Sequence, residues 1–467
     1  MALQEYLDYM RPYLGSDEAL AAFVAAYDVG LPKTIKVLAS RIDMADFAVY
    51  AKNAWLAYQQ TQFSDLQDMF VVEQGDVPLG KQAGHMLGWF YIQELAASLP
   101  AHFMDIPMSG AILDMSAAPG GKTVQLADAV LQAGSQAIVW ANDLDAGRLP
   151  VLENNLDRTG MYNTCVSKYS AAVFGTSHPE FFDSVLLDAP CSGEGTGFKS
   201  DAAFKWWKPS VVENIASLQF QLLTSAVLAC KPGGSIIYST CTLNPIENED
   251  NIRRILDLYP DHLEVEHLDC VGVGRGLDGY SGISEHVLRC WPHIQQTGWF
   301  FVCKLRKKSS IVARQSAQRT PVRNPGYFVA DDGVQSTVCK YLRESFGIVV
   351  DREKYLFVRT PHHICVTSPA FKNMIWTAEF DRVWVPILKW DSKDLRPLHQ
   401  LGIIFWSQAT QNTVELDMVW IQKYIAWQDF QIENDQVWFV ILQHEGRGVG
   451  VGKMVKWLLK NKFMKLM

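Results

Sequence analysis

Gly110-Ala111-Ile112-Leu113-Asp114-Met115-Ser116-Ala117-Ala118-Pro119-Gly120-Gly121-Lys122-Thr123 runs from a short apolar segment through a turn of small residues into a helical pattern. Strand, glycine-rich turn and helix, in that order, open a parallel, doubly wound α/β sheet. Two glycines and small side chains at such a turn let a ligand approach the backbone, with the first helical N–H groups facing it. The loop is not the Gly-x-Gly-x-x-Gly dinucleotide signature. Its glycine spacing before Lys-Thr is not that of a Walker loop either.

Downstream, the same alternation repeats. Apolar runs predict strands at residues 111–115, 137–141, 164–169, 184–188 and 235–238, with a closing strand at 299–306. Helical patterns at 122–132, 148–158 and 211–230 fit between them, and another at 246–258 follows. Lys231-Pro232-Gly233-Gly234 stops the third helix. Ligands of open α/β sheets bind at the carboxyl ends of the strands. Asn142 and Asp143 end the second strand, about twenty residues beyond the glycine turn, where a carboxylate can accept bonds from ribose hydroxyls. Asp143 also fits as an N-cap of the next helix; the agreement of strand end, spacing and turn favours the ribose role.

Two cysteines stand at the ends of two of these strands. Cys191 lies in Asp188-Ala189-Pro190-Cys191-Ser192-Gly193, after Ser184-Val185-Leu186-Leu187; Cys241 lies in Ser239-Thr240-Cys241-Thr242, after Ser235-Ile236-Ile237-Tyr238. One such cysteine would read as a buried core residue. Two, in turns at ligand-binding strand ends and one of them close to an Asp, point to covalent chemistry with a nucleophile and a helper.

At 467 residues the chain exceeds what one hydrophobic core serves, so two to four domains are expected. The 48% hydrophobic and 20% charged composition is that of a globular protein, and no run reaches the roughly 18 uninterrupted apolar residues of a membrane span. Met1-Ala2-Leu3-Gln4-Glu5 lacks the basic start and apolar core of a secretion signal. Nine scattered cysteines, with no Cys-x-x-Cys pair and no metal-ligand spacing, argue against a disulfide framework or a zinc site and for a reducing cytoplasm.

The net charge of −8 seems wrong for a nucleic-acid binder, but distribution matters more than the sum. No acid occurs from Val287 to Ala330, a stretch holding Arg289, Lys304, Arg306, Lys307, Lys308, Arg314, Arg319 and Arg323. The last sixteen residues repeat the pattern with Lys453, Lys456, Lys460, Lys462 and Lys465. Each run alone fits a solvated linker or a basic helical tail. Together, with Trp and Phe nearby, they suggest two phosphate-contacting patches.

Residues 1–104 read as a small α/β unit: a helical start, an amphipathic helix over 47–60, a strand at Phe70-Val71-Val72 and a second helix near 85–98. Residues 105–308 form the doubly wound unit. A polar, basic linker over 309–326 and a small α/β unit make up 309–380, and with 381–467 they form an aromatic-rich, strand-prone C-terminal region in two parts.

The loop Ala117–Thr123, Asp188–Gly195 (Asp-Ala-Pro-Cys-Ser-Gly-Glu-Gly), Ser239–Thr242 and Trp291-Pro292-His293 occur in one order. In these motifs the chain resembles the RNA cytosine-C5 methyltransferases of the Nop/Sun family, in particular the bacterial branch that modifies small-subunit ribosomal RNA. The resemblance runs from the N-terminal region through residue 308, and the C-terminal part is similar to that branch's tail with its PUA-like RNA-binding end. It implies a class I (Rossmann-like) methyltransferase sheet flanked by an N-terminal RNA-binding unit. The implied methyl donor is S-adenosylmethionine, held by Ser116, Ala117, Ala118, Pro119, Gly120, Gly121 and Lys122, with Asp143, Ser170 and Asp188. Cys241 becomes the nucleophile and Cys191 the helper that resolves the adduct. Asp188 becomes the group that hydrogen-bonds or protonates the base, and Lys122 supports thiolate or base. The implied substrate is RNA, either 16S ribosomal RNA or the 30S subunit, with transfer RNA as an alternative. The enzyme is expected to be monomeric, without metal or membrane. Cytosine-C5 methylation of DNA also uses a Pro-Cys motif, but with that cysteine as nucleophile; the second cysteine, in Thr240-Cys241, points to the RNA version.

Two positions depart from the family. Ser170 stands where an Asp bonds the adenine amino group, which removes a charge from the cofactor site. Ile35-Lys36-Val37-Leu38 stands where a strand carries Arg-x-Asn, which removes one RNA contact. Ser116, where Ala or Cys is common, changes little because the loop works through its backbone.

Overall fold

The computed structural model describes residues 2–195, 207–312 and 327–463, apart from residues 74, 76, 384, 392, 393 and 433–437. Its centre is a nine-stranded sheet containing β5 (Ala111–Asp114), β6 (Ile138–Asn142), β7 (Thr164–Ser167), β8 (Phe182–Asp188), β9 (Cys230–Thr240), β10 (Leu263–Glu266), β11 (Gly274–Arg275), β12 (Leu288–Cys290) and β13 (Phe300–Lys307). The order is β11-β12-β13-β9-β8-β5-β6-β7, with β10 on β13. The five strands β9-β8-β5-β6-β7 are parallel, and the later strands add antiparallel. The strands read as continuous apolar runs because both faces are covered. Leu113, Trp140, Val185 and Ile236 face the helices Pro209–Ala229 and Glu249–Leu258; Ile112, Val139, Leu186 and Ile237 face Gly121–Gln132 and Leu149–Thr159. Each such aliphatic side chain contributes about 1.5–3 kcal/mol on burial. The Pro209–Ala229 helix has the length and hydropathy of a membrane span. Its Leu222, Leu223, Ala226 and Val227 nevertheless belong to the sheet's core.

The N-terminal unit places two helices, Ala2–Leu14 and Asp17–Asp28, before a sheet of β1 (Thr34–Val37), β2 (Tyr58–Gln60), β3 (Met69–Val72) and β4 (Phe90–Ile92), in the order β2-β3-β1-β4. The helix expected over 47–60 spans Met44–Asn53 and gives way to β2 after Trp55, whose φ of 54° cannot continue a helix. The helix expected near 85–98 is absent. Gly88 turns at φ 70°, where a Cβ would lie 2.3 Å from the Arg158 carbonyl oxygen, and Phe90–Ile92 pairs with β1. Aromatic and β-branched residues favour the strand here, and Phe90 packs edge-on to Phe47.

Beyond residue 326, β14 (Phe328–Val329), β15 (Leu356–Arg359), β16 (His363–Thr367), β17 (Val385–Asp391) and β18 (Asp394–Pro397) form one antiparallel sheet. It runs across residue 380, where the sequence suggested a join. The intervening segment instead caps the edge of the central sheet: Arg382 bridges Val166 of β7 and ion-pairs with Asp157. A last sheet holds β19 (Thr413–Glu415), β20 (Phe430–Gln431), β21 (Phe439–His444), β22 (Arg447–Val455) and β23 (Leu458–Asn461). Val414, Ile421, Leu442 and Met454 from this C-terminal unit share one apolar cluster with Ile35, Val37 and Phe47, so the two ends of the chain pack together. Arg447 adds an ion pair to Asp46 at 2.9 Å.

Two basic stretches look different in three dimensions. The lysine-rich tail is a hairpin, not a helix: Lys453 pairs with Lys460 across β22 and β23, and Lys456 turns at φ 56°. Of the first stretch, four cations are structural. Arg289 is buried against Glu249; Lys304 and Arg306 pair with Asp105 and Glu266; and Lys307 is buried against Glu180 and two carbonyls. Arg314, Arg319, Arg323 and Lys465 lie outside the described residues.

Candidate active site

The strands of the central sheet are buried until they end, and side chains become accessible where they do: Ser116 and Lys122 after β5, Asp188 at the end of β8, and Cys191 and Cys241 just beyond β8 and β9. The register sets Asp188 opposite Ser239, whose hydroxyl donates to Asp188 Oδ1 at 2.8 Å. Lys122 Nζ donates to Asp188 Oδ2 at 2.8 Å, and its ammonium lies 5.2 Å from the Phe300 ring centroid. Burial opposes the charge on Lys122, but Asp188, then Asp114 and Cys241, outweigh it and raise its pKa. Lys122 is therefore a fixed cation. Asp114, buried behind it, accepts from Thr123 Oγ1 at 2.7 Å, and burial pushes its carboxyl up to about 7.

The sulfurs of Cys191 and Cys241 stand 2.8 Å apart. The hydrogen bond to Cys241, then burial and the negative fields of Glu247 and Glu194, drive the Cys191 thiol well above its ordinary pKa. Cys191 therefore keeps its proton, and the sulfur beside Lys122 is that of Cys241. The loops approach closely through Gly195, whose N–H donates to the Cys241 carbonyl at 3.1 Å; a Cβ there would lie 2.3 Å from that oxygen.

The glycine turn curls over the end of β6. Ala117 N–H donates to the Asn142 carbonyl at 2.8 Å and Ala118 N–H to Asp143 Oδ2 at 3.0 Å. Pro119 is exposed, Gly120 takes φ 114°, and the helix from Gly121 has no side-chain cap, so its first N–H groups are available to an anion or polar ligand. Asp143 also accepts from Asp145 N–H at 3.0 Å, and Arg148 stands 3.6 Å away. Asp143 is not an N-cap: the following helix begins at Leu149 behind Arg148. Ser170 is exposed at the end of the third parallel strand, and its side chain caps nothing. Its neighbour Tyr169 is clasped from the C-terminal region, accepting from Glu379 N–H at 2.8 Å and donating to the Glu379 carbonyl at 2.9 Å.

The strand ends thus bring together Lys122, Asp188, Cys191 and Cys241, with Ser116–Gly121, Asp143 and Ser170 along the same edge. Lys36, from the departing N-terminal motif, is buried and ion-paired with Asp68. Sequence reasoning missed the work of Asn142. Its amide donates to the carbonyls of Met115 and Tyr169, and its oxygen accepts from Ser167 Oγ and Tyr169 N–H, tying three strand ends together. A polar residue closing an apolar run was the available signal, because a buried amide must find partners. Also missed was the polar cluster Asn244, Glu247, Asn248 and Glu249, the last three read only as the first turn of a helix over 246–258, which in fact begins at Glu249.

A sequence profile of the family described as "16S rRNA methyltransferase RsmB/F" matches residues 103–306. The chain is 31% identical over 470 residues to ribosomal RNA small subunit methyltransferase F of Erwinia tasmaniensis, covering 98% of this chain and 95% of the relative. It is 32% identical over 473 residues to the Klebsiella pneumoniae protein of the same name, covering 98% and 95%. Among solved structures, a methyltransferase homolog from Pyrococcus horikoshii shares 28% identity at TM-score 0.55, over 63% of this chain and 92% of that one. NSun6 from P. horikoshii, solved with SFG, has the same fold at 21% identity and TM-score 0.56, over 66% and 98%. Near full-length relatedness to these proteins, on a Rossmann-like sheet, makes this chain a member of the RsmB/F family of 16S rRNA methyltransferases.

Proposed function

We propose that this chain transfers a methyl group from S-adenosylmethionine to carbon 5 of a cytosine in RNA, with 16S ribosomal RNA as substrate. The observation that carries this reading is the 2.8 Å contact of two strand-end thiols beside the Lys122–Asp188 pair. The residues at the glycine turn fit the donor: the uncapped helix start offers N–H groups, the Gly120 backbone admits close approach, and Asp143 is a buried carboxylate at the ribose position. The names of the full-length relatives support the ribosomal substrate.

Bound there, S-adenosylmethionine supplies an electrophilic methyl group. Carbon 5 of cytosine is too weak a nucleophile to take it directly, so the protein must first activate the base. Cys241 attacks carbon 6 as a thiolate; the S–C6 bond forms and the 5,6 electron pair moves to carbon 5. Asp188, held by the Lys122 ammonium at 2.8 Å, is placed to hydrogen-bond the base, and the fixed cation offsets charge that builds on the ring. After methylation, the carbon-5 proton passes to solvent water, its electron pair re-forms the 5,6 double bond, and the S–C6 bond breaks to return the Cys241 thiolate. Cys191, in contact with that sulfur, assists this release. The base must leave any stacked helix to reach the pocket.

In this reading the N-terminal unit and the β19–β23 sheet, a PUA-like end, grip RNA around a monomeric cytoplasmic enzyme. A second reading, an assembly factor that binds RNA with little turnover, draws on Ser170 and Leu38. Labelled-methyl transfer to naked 16S RNA and to 30S subunits, followed by bisulfite sequencing, separates the two. Methylation of one cytosine, lost about a thousandfold in Cys241→Ser, is expected. RNA binding without methyl incorporation would favour the assembly factor.

A further inference from the structure

We infer that Glu247 and Gln219 are positioning residues that hold Cys191 for release of the methylated base, an inference that rests on the reading of Cys191 given above. They act on the backbone at either side of Cys191. Gln219, fully buried on the Pro209–Ala229 helix, donates through Nε2 to the Pro190 carbonyl at 2.9 Å and to Glu247 Oε2 at 2.6 Å. Glu247, also fully buried, accepts the Ser192 N–H at 3.0 Å on that same oxygen. Its other oxygen accepts from Asn244 Nδ2 at 2.7 Å and from the Ser192 hydroxyl. The carbonyl before Cys191 and the amide after it are therefore both tied to one carboxylate–amide pair.

The pair is itself fixed. Tyr238 Oη and Asn251 Nδ2 both donate to Gln219 Oε1 at 3.2 Å, and Asn244 Oδ1 accepts the Glu247 N–H at 2.9 Å. Asn244 Nδ2 also reaches Thr242 Oγ1 at 2.8 Å, next to Cys241. The cluster thus links the loop of one thiol to the loop of the other. The Cys241 loop has anchors of its own, however. Asn248 donates to the Thr242 carbonyl at 3.0 Å and Thr240 donates to Asn248 at 2.6 Å, while Arg289 donates to the Leu243 carbonyl. Losing the clamp should displace Cys191 and leave Cys241 in place.

Four donors converge on Glu247, which matches the capacity of an ionised carboxylate. An amide of the same shape has one oxygen and a donating NH2 group, so Glu247→Gln must break part of the set without leaving a cavity. Displacing a reacting group by about 1 Å can cost about a hundredfold. The test uses the full-length protein with S-adenosylmethionine and its RNA substrate. Attack and one round of methyl transfer should proceed at the wild-type rate in Glu247→Gln and Gln219→Met, while steady-state turnover falls about ten- to a hundredfold. A covalent protein–RNA band should accumulate on denaturing gels. In a Cys191→Ala background neither change should slow release further. Ser192→Ala, which removes one of the four bonds to Glu247, should give the same phenotype more weakly and serves if the buried variants do not fold. If Cys191→Ala traps the adduct but the folded clamp variants turn over normally, or lose turnover without any adduct, the inference is overturned. If Cys191→Ala traps nothing, the underlying role of Cys191 fails instead.

Discussion

The sulfurs of Cys191 and Cys241 are 2.8 Å apart, although fifty residues separate them in the chain. Adjacent parallel strands β8 and β9, with Asp188 in register with Ser239, bring the two loops side by side. The side groups around them differ. Cys191 faces the acids Glu247 and Glu194 and keeps its proton, whereas Cys241 lies in the field of the Lys122 ammonium. Two chemically identical side chains thereby sit in electrostatically distinct surroundings, as the proposed division into nucleophile and helper requires.

The cofactor site can be tested by removing one charge and adding another. Asp143→Ala should weaken S-adenosylmethionine binding by roughly 1.5–3 kcal/mol, the range for a hydrogen bond to a charged group. Part of that loss will come from the turn itself, since Ala118 N–H also depends on Asp143. Ser170→Asp should tighten binding or leave it unchanged. Calorimetry showing that Ser170→Asp abolishes binding would mean that the adenine end is built differently from its relatives.

The hairpin lysines are accessible cations. Lys453, Lys456, Lys460 and Lys462 are all exposed, and none has an ion-pair partner among the described residues. Neutralising Lys456, Lys460 and Lys462 should weaken RNA binding and flatten its salt dependence by a slope of roughly 0.7–0.9 per lost contact. An unchanged slope in filter-binding titrations would remove the hairpin from the RNA interface.

Stability should carry a pH signature of Glu247. Burial, then the charge of Glu194, pushes its carboxyl from 4.5 up to about 7. Between those values the folded protein holds a proton that the unfolded chain has released, so this group's contribution to stability falls as pH rises through the window and levels off above it. The slope is at most about 1.4 kcal/mol per pH unit. His85 and His399, driven down to about 3 by burial, act in the opposite direction but equally in wild type and variant. Denaturant melts at pH 5 and pH 7 should therefore show that Glu247→Gln removes a decline; identical pH dependence would contradict the assignment.

Much of the central sheet was legible because its signals are local. Apolar runs such as Val185–Leu187 mark strands, and Lys231–Gly234 marks the end of the Pro209–Ala229 helix within a few residues, although it is taken up into β9 and is not a separate turn. The site residues inherit that legibility, since strand ends and their order along the sheet bring Lys122, Asp188, Cys191 and Cys241 together. What the sequence hid depends on distant partners. The segment 85–98 looks helical until Gly88 meets Arg158 and Phe90 meets β1. Arg289, Lys304, Arg306 and Lys307 read as a phosphate patch because their carboxylate partners lie far away in sequence. The join expected at residue 380 reflected composition alone, whereas the sheet crosses it because β16 pairs with β17.

The most direct test of the two thiol roles is a trapping experiment on denaturing gels. Wild type, Cys191→Ala, Cys241→Ala and the double variant are each incubated with S-adenosylmethionine and substrate RNA. Cys191→Ala should accumulate a slow-migrating covalent protein–RNA band, because attack and methyl transfer proceed while release stalls. Cys241→Ala and the double variant should form none. A stable adduct in Cys241→Ala but not in Cys191→Ala would reverse both roles and leave only the fold standing.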